Sequence, residues 1–143
     1  MRYTRIIYLF ILICIQLFFL PNGLYPNAGK VDENRMSELF DRCVEYQRTH
    51  GESDRFYEKL DSLHTMVEQH MMEDNCTELC LAIKTYYGKN IGELDPAAGL
   101  EVLRESLLIA EENEMQQEQA RAAHEMAIIY KSYGLDNLAM DQY

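Results

Sequence analysis

His124 and Glu125 stand side by side as at the start of a zinc-protease pair, but Ile128 occupies the position that needs the second histidine. Two imidazoles four residues apart would meet a metal on one helix face; here a single one is available. The remaining histidines, His50, His64 and His70, are scattered along the chain and read as solvated or capping residues. Cys76 and Cys80 sit four apart on a predicted helix, where both thiols project along the axis and a bridge would distort it. With Cys43 they read as small apolar core residues. A metal reading would recruit His64 or His70, and no second paired-ligand spacing supports it. Asn75-Cys76-Thr77 matches a glycosylation sequon, although a helix cap accounts for the same residues. No glycine-rich phosphate loop and no nucleophile elbow occurs. Met66, Met71 and Met72, among eight methionines, read as adaptable packing. These residues predict a chain that is not an enzyme and carries no cofactor.

The elements that position them follow from apolar spacing. Met36, Leu39 with Phe40, Cys43 and Tyr46 fall on one helical face. His50-Gly51-Glu52-Ser53 interrupts that face, and Ser53 is the expected N-cap of the next helix. Phe56, Leu60, Leu63, Val67 and Met71 make its stripe. Asp74-Asn75 should end it, with Asn75 and Glu78 as a capping box for a third helix. That helix shows Leu79, Ile83 and Tyr86, and the run Gly88-Lys89-Asn90-Ile91-Gly92 predicts its dissolution into a long loop up to Asp95. Asp95-Pro96 is the clearest boundary, a capping aspartate before a proline in the first turn. Leu100, Leu103, Leu107 and Ala110 form the fourth stripe, and Glu112-Asn113-Glu114 the turn after it. Ala123, Met126 with Ala127, and Tyr130 form the fifth, which Gly134 closes. Period-two alternation is absent, so the expected class is all-α, an antiparallel helical array.

The start of the chain has a different character. Arg2 and Arg5 precede an apolar run from Ile6 to Leu20, broken only by Gln16, and Pro21-Asn22-Gly23 follows. As a helix the run would reach about 22 Å, short of the roughly 30 Å hydrocarbon layer. Residues 1–28 therefore read as a signal peptide or signal anchor, 29–33 as a linker, and 34–143 as the helical domain. The expected location is periplasmic, or inner-membrane-anchored facing the periplasm, with membrane contact only through this N-terminal segment if it is uncleaved. Net charge is −11. Losing the two arginines would leave −11 − 2, or −13, a surface that repels phosphate backbones and argues against nucleic-acid binding.

Residues Ala120 to Tyr143 carry a more specific pattern. Ala123, Met126, Ala127, Tyr130, Gly134, Ala139 and Tyr143 alternate small, large, small, aromatic, turn-glycine, small and aromatic residues. Gly99, Leu103, Ser106 and Leu107 repeat the small–large alternation of a second helix. This pattern resembles the tetratricopeptide repeat, well over Ala120–Tyr143, fairly over Leu79–Glu112, and poorly before that, where Phe56 stands at an expected small position. The resemblance implies antiparallel hairpins stacked as an α-solenoid, about two and a half hairpins in this chain. It also implies a protein–protein interaction scaffold. First helices line the groove of such arrays, so aligning Tyr86 with Tyr130 nominates Lys84, Tyr87, Arg121, His124 and Lys131 as groove contacts. A basic-aromatic groove on an acidic protein would suit a carboxylate or an acidic peptide segment.

An exported signal before degenerate repeats also resembles the sensor segments of Bacteroidetes-type regulators. That resemblance implies an alternative role as the extracytoplasmic input segment of a histidine kinase or transcriptional regulator. A small periplasmic helical enzyme or metal carrier is the remaining alternative. Leu138-Ala139-Met140-Asp141-Gln142-Tyr143 is still a core-facing pattern, expected to be an unfinished edge where the next repeat, a partner or a second copy docks.

Overall fold

Five helices and no strand account for the residues that the computed structural model describes, 32–72 and 76–135. They are α1 (Glu33–His50), α2 (Asp54–Met71), α3 (Glu78–Leu94), α4 (Pro96–Glu112) and α5 (Gln116–Ser132). The chain divides into two compact units, Met1–Lys30 and Val31–Tyr143, and every described residue belongs to the second. The expected signal segment, Asn75 and the closing pattern Leu138–Tyr143 lie outside the described residues. None of the described helices is long and apolar enough to cross a membrane.

Local chemistry sets most boundaries. The Asp32 side chain accepts from Asn34 N, and Ser53 accepts from Phe56 N, which starts α1 and α2. Gly51 ends α1 at φ 69°, a left-handed conformation that favours glycine. Asp95 closes α3 with its backbone N–H, and its carboxylate opens α4 by accepting from Ala97 N and Ala98 N. With Pro96 at the first helical position, one residue turns the chain. Gly134, at φ 71°, follows the end of α5, where Leu135 N donates to Tyr130 O.

Two expectations are corrected. The cap of α3 is Thr77, whose hydroxyl accepts from Cys80 N, and the helix starts at Glu78. Cys76 therefore precedes the helix, while Cys80 is buried in its first turn. More consequentially, α3 does not dissolve at Gly88. It continues through Gly88, Asn90 and Gly92 to Leu94, and the expected long loop is a single-residue turn.

Packing explains that continuation. A helical glycine costs about 1 kcal/mol relative to alanine, so something must offset two of them in α3. A Cβ on Gly99 of α4 would overlap the Gly92 backbone and come 2.7 Å from Gly88 O. One on Gly88 would lie 2.9 Å from Leu103 Cγ, and one on Gly92 would strike the Ile129 side chain of α5. Bare backbone thus lets three helices close on one another, and α3–α4 is the most extensively packed pair in the molecule. Each helix packs on the next, α1 and α5 also reach α3, and α3 alone touches all four others. No residue of α3 from Leu79 to Gly92 is exposed.

The core lies in two patches on either side of α3. Met36, Cys43, Phe56, Leu60, Leu63, Val67, Cys80 and Ile83 fill the first, so Cys43 and Cys80 are apolar filling as expected. Leu103, Met126 and Ile129 form the second, with Leu100, Leu107 and Tyr130 against them. On α5 the buried face is centred one residue away from its expected position, on Ala122, Met126 and Ile129, leaving Ala123 half-buried.

Candidate functional site

The five nominated groove residues separate into two groups. Lys84 is buried between helices, and Tyr87 is half-buried. The Lys84 side chain is 3% exposed, and its Nζ lies 2.5 Å from Glu68 Oε1 on α2 and 3.0 Å from Glu105 Oε2 on α4. Burial works against its charge, but hydrogen bonds to both glutamates and their negative charge outweigh it and hold the pKa above lysine's ordinary value. Lys84 is therefore a corrected assignment: it fastens three helices to one another and does not face a groove.

Tyr87, one turn on, is committed in the same way. Its ring stacks on His64 of α2 with centroids 3.8 Å apart, and its hydroxyl donates to Asp61 Oδ1 at 3.0 Å. Burial and the Asp61 carboxylate push the phenol up to about 12. Both ring and hydroxyl are thus engaged by α2, while part of the side chain stays open to solvent. Asp61, His64 and Glu68 form a ladder at i, i+3 and i+7 along α2, opposite Lys84 and Tyr87 at i and i+3 on α3. His64 Nε2 lies 3.3 Å from Glu68 Oε1, and burial lowers its pKa, leaving the imidazole neutral at pH 7. Asp61, Glu68, Lys84 and Tyr87 answer one another across this ladder, which suits holding helices in register better than acting on a substrate.

Arg121, His124 and Lys131 are all exposed on α5. Spacings of three and seven residues put them on one face, and Ile128, 43% exposed, completes the stripe between His124 and Lys131. Arg121 donates to the buried Glu118 one turn earlier, which anchors the guanidinium at the edge of the stripe. On α4, Glu101, Glu105, Glu111 and Glu112 are exposed together with Arg104, and Glu105 reaches Lys84.

A second polar cluster was not visible in the sequence. Asn90 is fully buried; its Oδ1 accepts from Gln47 Nε2 of α1 at 2.7 Å, and its Nδ2 donates to Tyr86 O at 2.7 Å. The Tyr86 hydroxyl donates to Gln47 Oε1, closing a ring of amide and phenol across α1 and α3. Beside it Glu52 accepts from the Tyr57 hydroxyl at 3.3 Å. Burial raises the Glu93 pKa, and a hydrogen bond to Glu52 and that carboxylate's charge raise it further. The signal was present as a polar residue inside an apolar helix, but Asn90 stood between two glycines and looked like loop.

Among the described residues no group of three or more His, Cys, Asp or Glu side chains could hold a metal ion. Comparison with known proteins finds no matching family model, no matching curated protein and no matching solved structure.

Proposed function

We propose that this chain is a non-catalytic protein–protein interaction scaffold, exported across the inner membrane, whose helices are tetratricopeptide-like hairpins stacked as an α-solenoid. The α3–α4 hairpin with α5 laid across both of its helices is compatible with one repeat followed by the first helix of another. The single-residue turn at Asp95 is compatible with the tight turn of a repeat hairpin. The basic start and apolar run of residues 2–20 support export.

The observation that carries the binding role is the α5 stripe. Arg121, His124 and Lys131 flank an exposed isoleucine on a protein of net charge −11. An amphipathic acidic segment would bury its apolar residues on Ile128 and set carboxylates beside Arg121 and Lys131. The test uses a fluorescein-labelled helical peptide of glutamate and leucine, titrated by anisotropy. Replacing Arg121, His124 and Lys131 with alanine, and Ile128 with aspartate, should weaken binding by about tenfold or more, the loss of roughly 1.4 kcal/mol. Unchanged affinity would remove the stripe from the account. Lys84 is left out of this variant, because replacing it tests folding and not binding.

A further inference from the structure

Among the described residues, the space between α1 and α2 is not completely filled. A cleft of about 480 Å³ opens there, lined among the described residues by α1 and α2. Leu39, Cys43 and Tyr46 form one wall, and Leu63 and Met66 the other. Cys43 and Leu63 are nearly fully buried at its floor. Burial raises the Cys43 pKa, which keeps the thiol neutral and the floor uncharged. Small-ligand sites occupy roughly 300–1,000 Å³ and combine an apolar lining with a few placed polar groups. This cleft has both parts.

Its mouth is where charge enters. The ammonium of Lys59 lies 5.5 Å over the Tyr46 ring. No carboxylate of a described residue lies within ion-pair distance of it, whereas Arg42, at the same mouth, is paired with Glu38 at 2.5 Å. Glu58 also lines the rim, so the opening is mixed, and among the described residues Lys59 is the cation there that no carboxylate pairs. A neutral occupant would cover that ammonium without answering it. A cationic occupant would meet it head on. An anionic headgroup supplies the missing partner.

We propose that the α1–α2 cleft binds a single-chain amphiphile bearing a carboxylate, with its hydrocarbon tail on the Leu39–Cys43–Leu63–Met66 floor and its headgroup at Lys59. The site is separate from the α5 stripe, so neither reading depends on the other.

The experiment titrates the full chain by calorimetry with laurate, and with dodecyltrimethylammonium, both below their micelle concentrations. Two variants change exposed residues at the mouth, Lys59→Met and Ser62→Trp, and circular dichroism verifies that each remains folded. Laurate should bind saturably, with about tenfold weaker affinity in Lys59→Met. It should lose saturable binding in Ser62→Trp, whose indole occupies the opening, and the ammonium amphiphile should bind about tenfold more weakly than laurate. The α5 stripe variant should bind laurate unchanged. Laurate affinity that neither cleft variant alters, equal binding of the cationic amphiphile, or no saturable binding by the folded protein would overturn the proposal.

Discussion

The two complete hairpins of this protein have nearly equal helix lengths and opposite solutions to packing. In α3–α4 the contact is made by Gly88, Gly92 and Gly99, and the helices meet backbone to backbone. In α1–α2 it is made by Met36, Phe56, Leu60 and Val67, large side chains that leave a cleft between the two helices. Phe56 is a large side chain, fully buried in that core. The difference teaches that a helical pattern fixes which face is buried, while side-chain size at the crossing decides whether the hairpin closes or retains a cavity.

Substitutions at the two crossings should break them in opposite ways. Phe56→Ala leaves a void under the first hairpin and should cost about 4 kcal/mol. Gly99→Ala adds one methyl that has only backbone to displace, and should cost about 3 kcal/mol as the helices part. Urea denaturation measures both. At an ordinary exposed helical glycine the same change would stabilise by about 1 kcal/mol, so the sign for Gly99 decides whether the close approach is real.

A smaller effect tests the fastener between the hairpins. Lys84→Met removes the ammonium that joins α2 to α3 and α4, and should cost about 1–2 kcal/mol at neutral pH, since both glutamates are partly solvated. Because the folded pKa of Lys84 is raised above the unfolded value of 10.5, its contribution is complete below that pH and fades as pH rises through the folded value. Tyr57, Tyr86 and Tyr87, each pushed up to about 12 chiefly by burial, lose stability in the same alkaline direction. The gap between wild-type and Lys84→Met urea midpoints should hold from pH 7 to pH 9 and narrow at pH 11. A gap that widens with pH would contradict the pairing.

Much of the fold was legible because its determinants are local. The stripes of α1 and α2 follow three-four spacing, and Met36, Cys43, Phe56, Leu60, Leu63 and Val67 are buried where that spacing puts them, with Leu39, Phe40, Tyr46 and Met71 partly buried against them. Ser53, Asp95 and Pro96 act on backbone groups within three residues of themselves, so their roles could be read directly. The glycines of α3 misled for a physical reason. Gly88 and Gly92 lower helix propensity locally, and what compensates them is Leu103, Gly99 and Ile129, which belong to other helices. Lys84 misled in the same manner: Glu68 lies sixteen residues earlier in sequence and Glu105 twenty-one later, so a lysine that looked free proved enclosed. Arg121, His124 and Lys131 were placed on one exposed face because a single helix sets their relation. The cleft could not be foreseen, since it depends on the separation between two helices and not on any one of their patterns.

Native-state hydrogen exchange tests the central contrast most directly. Amides of Lys89, Asn90, Ile91 and Gly92 sit inside α3 beneath α4 and α5, and should exchange only when the whole domain unfolds. Amides of α1, beside the open cleft, should exchange sooner through partial opening of the first hairpin. Free exchange of residues 89–92 at loop-like rates, or protection of α1 that outlasts α3, would contradict the account.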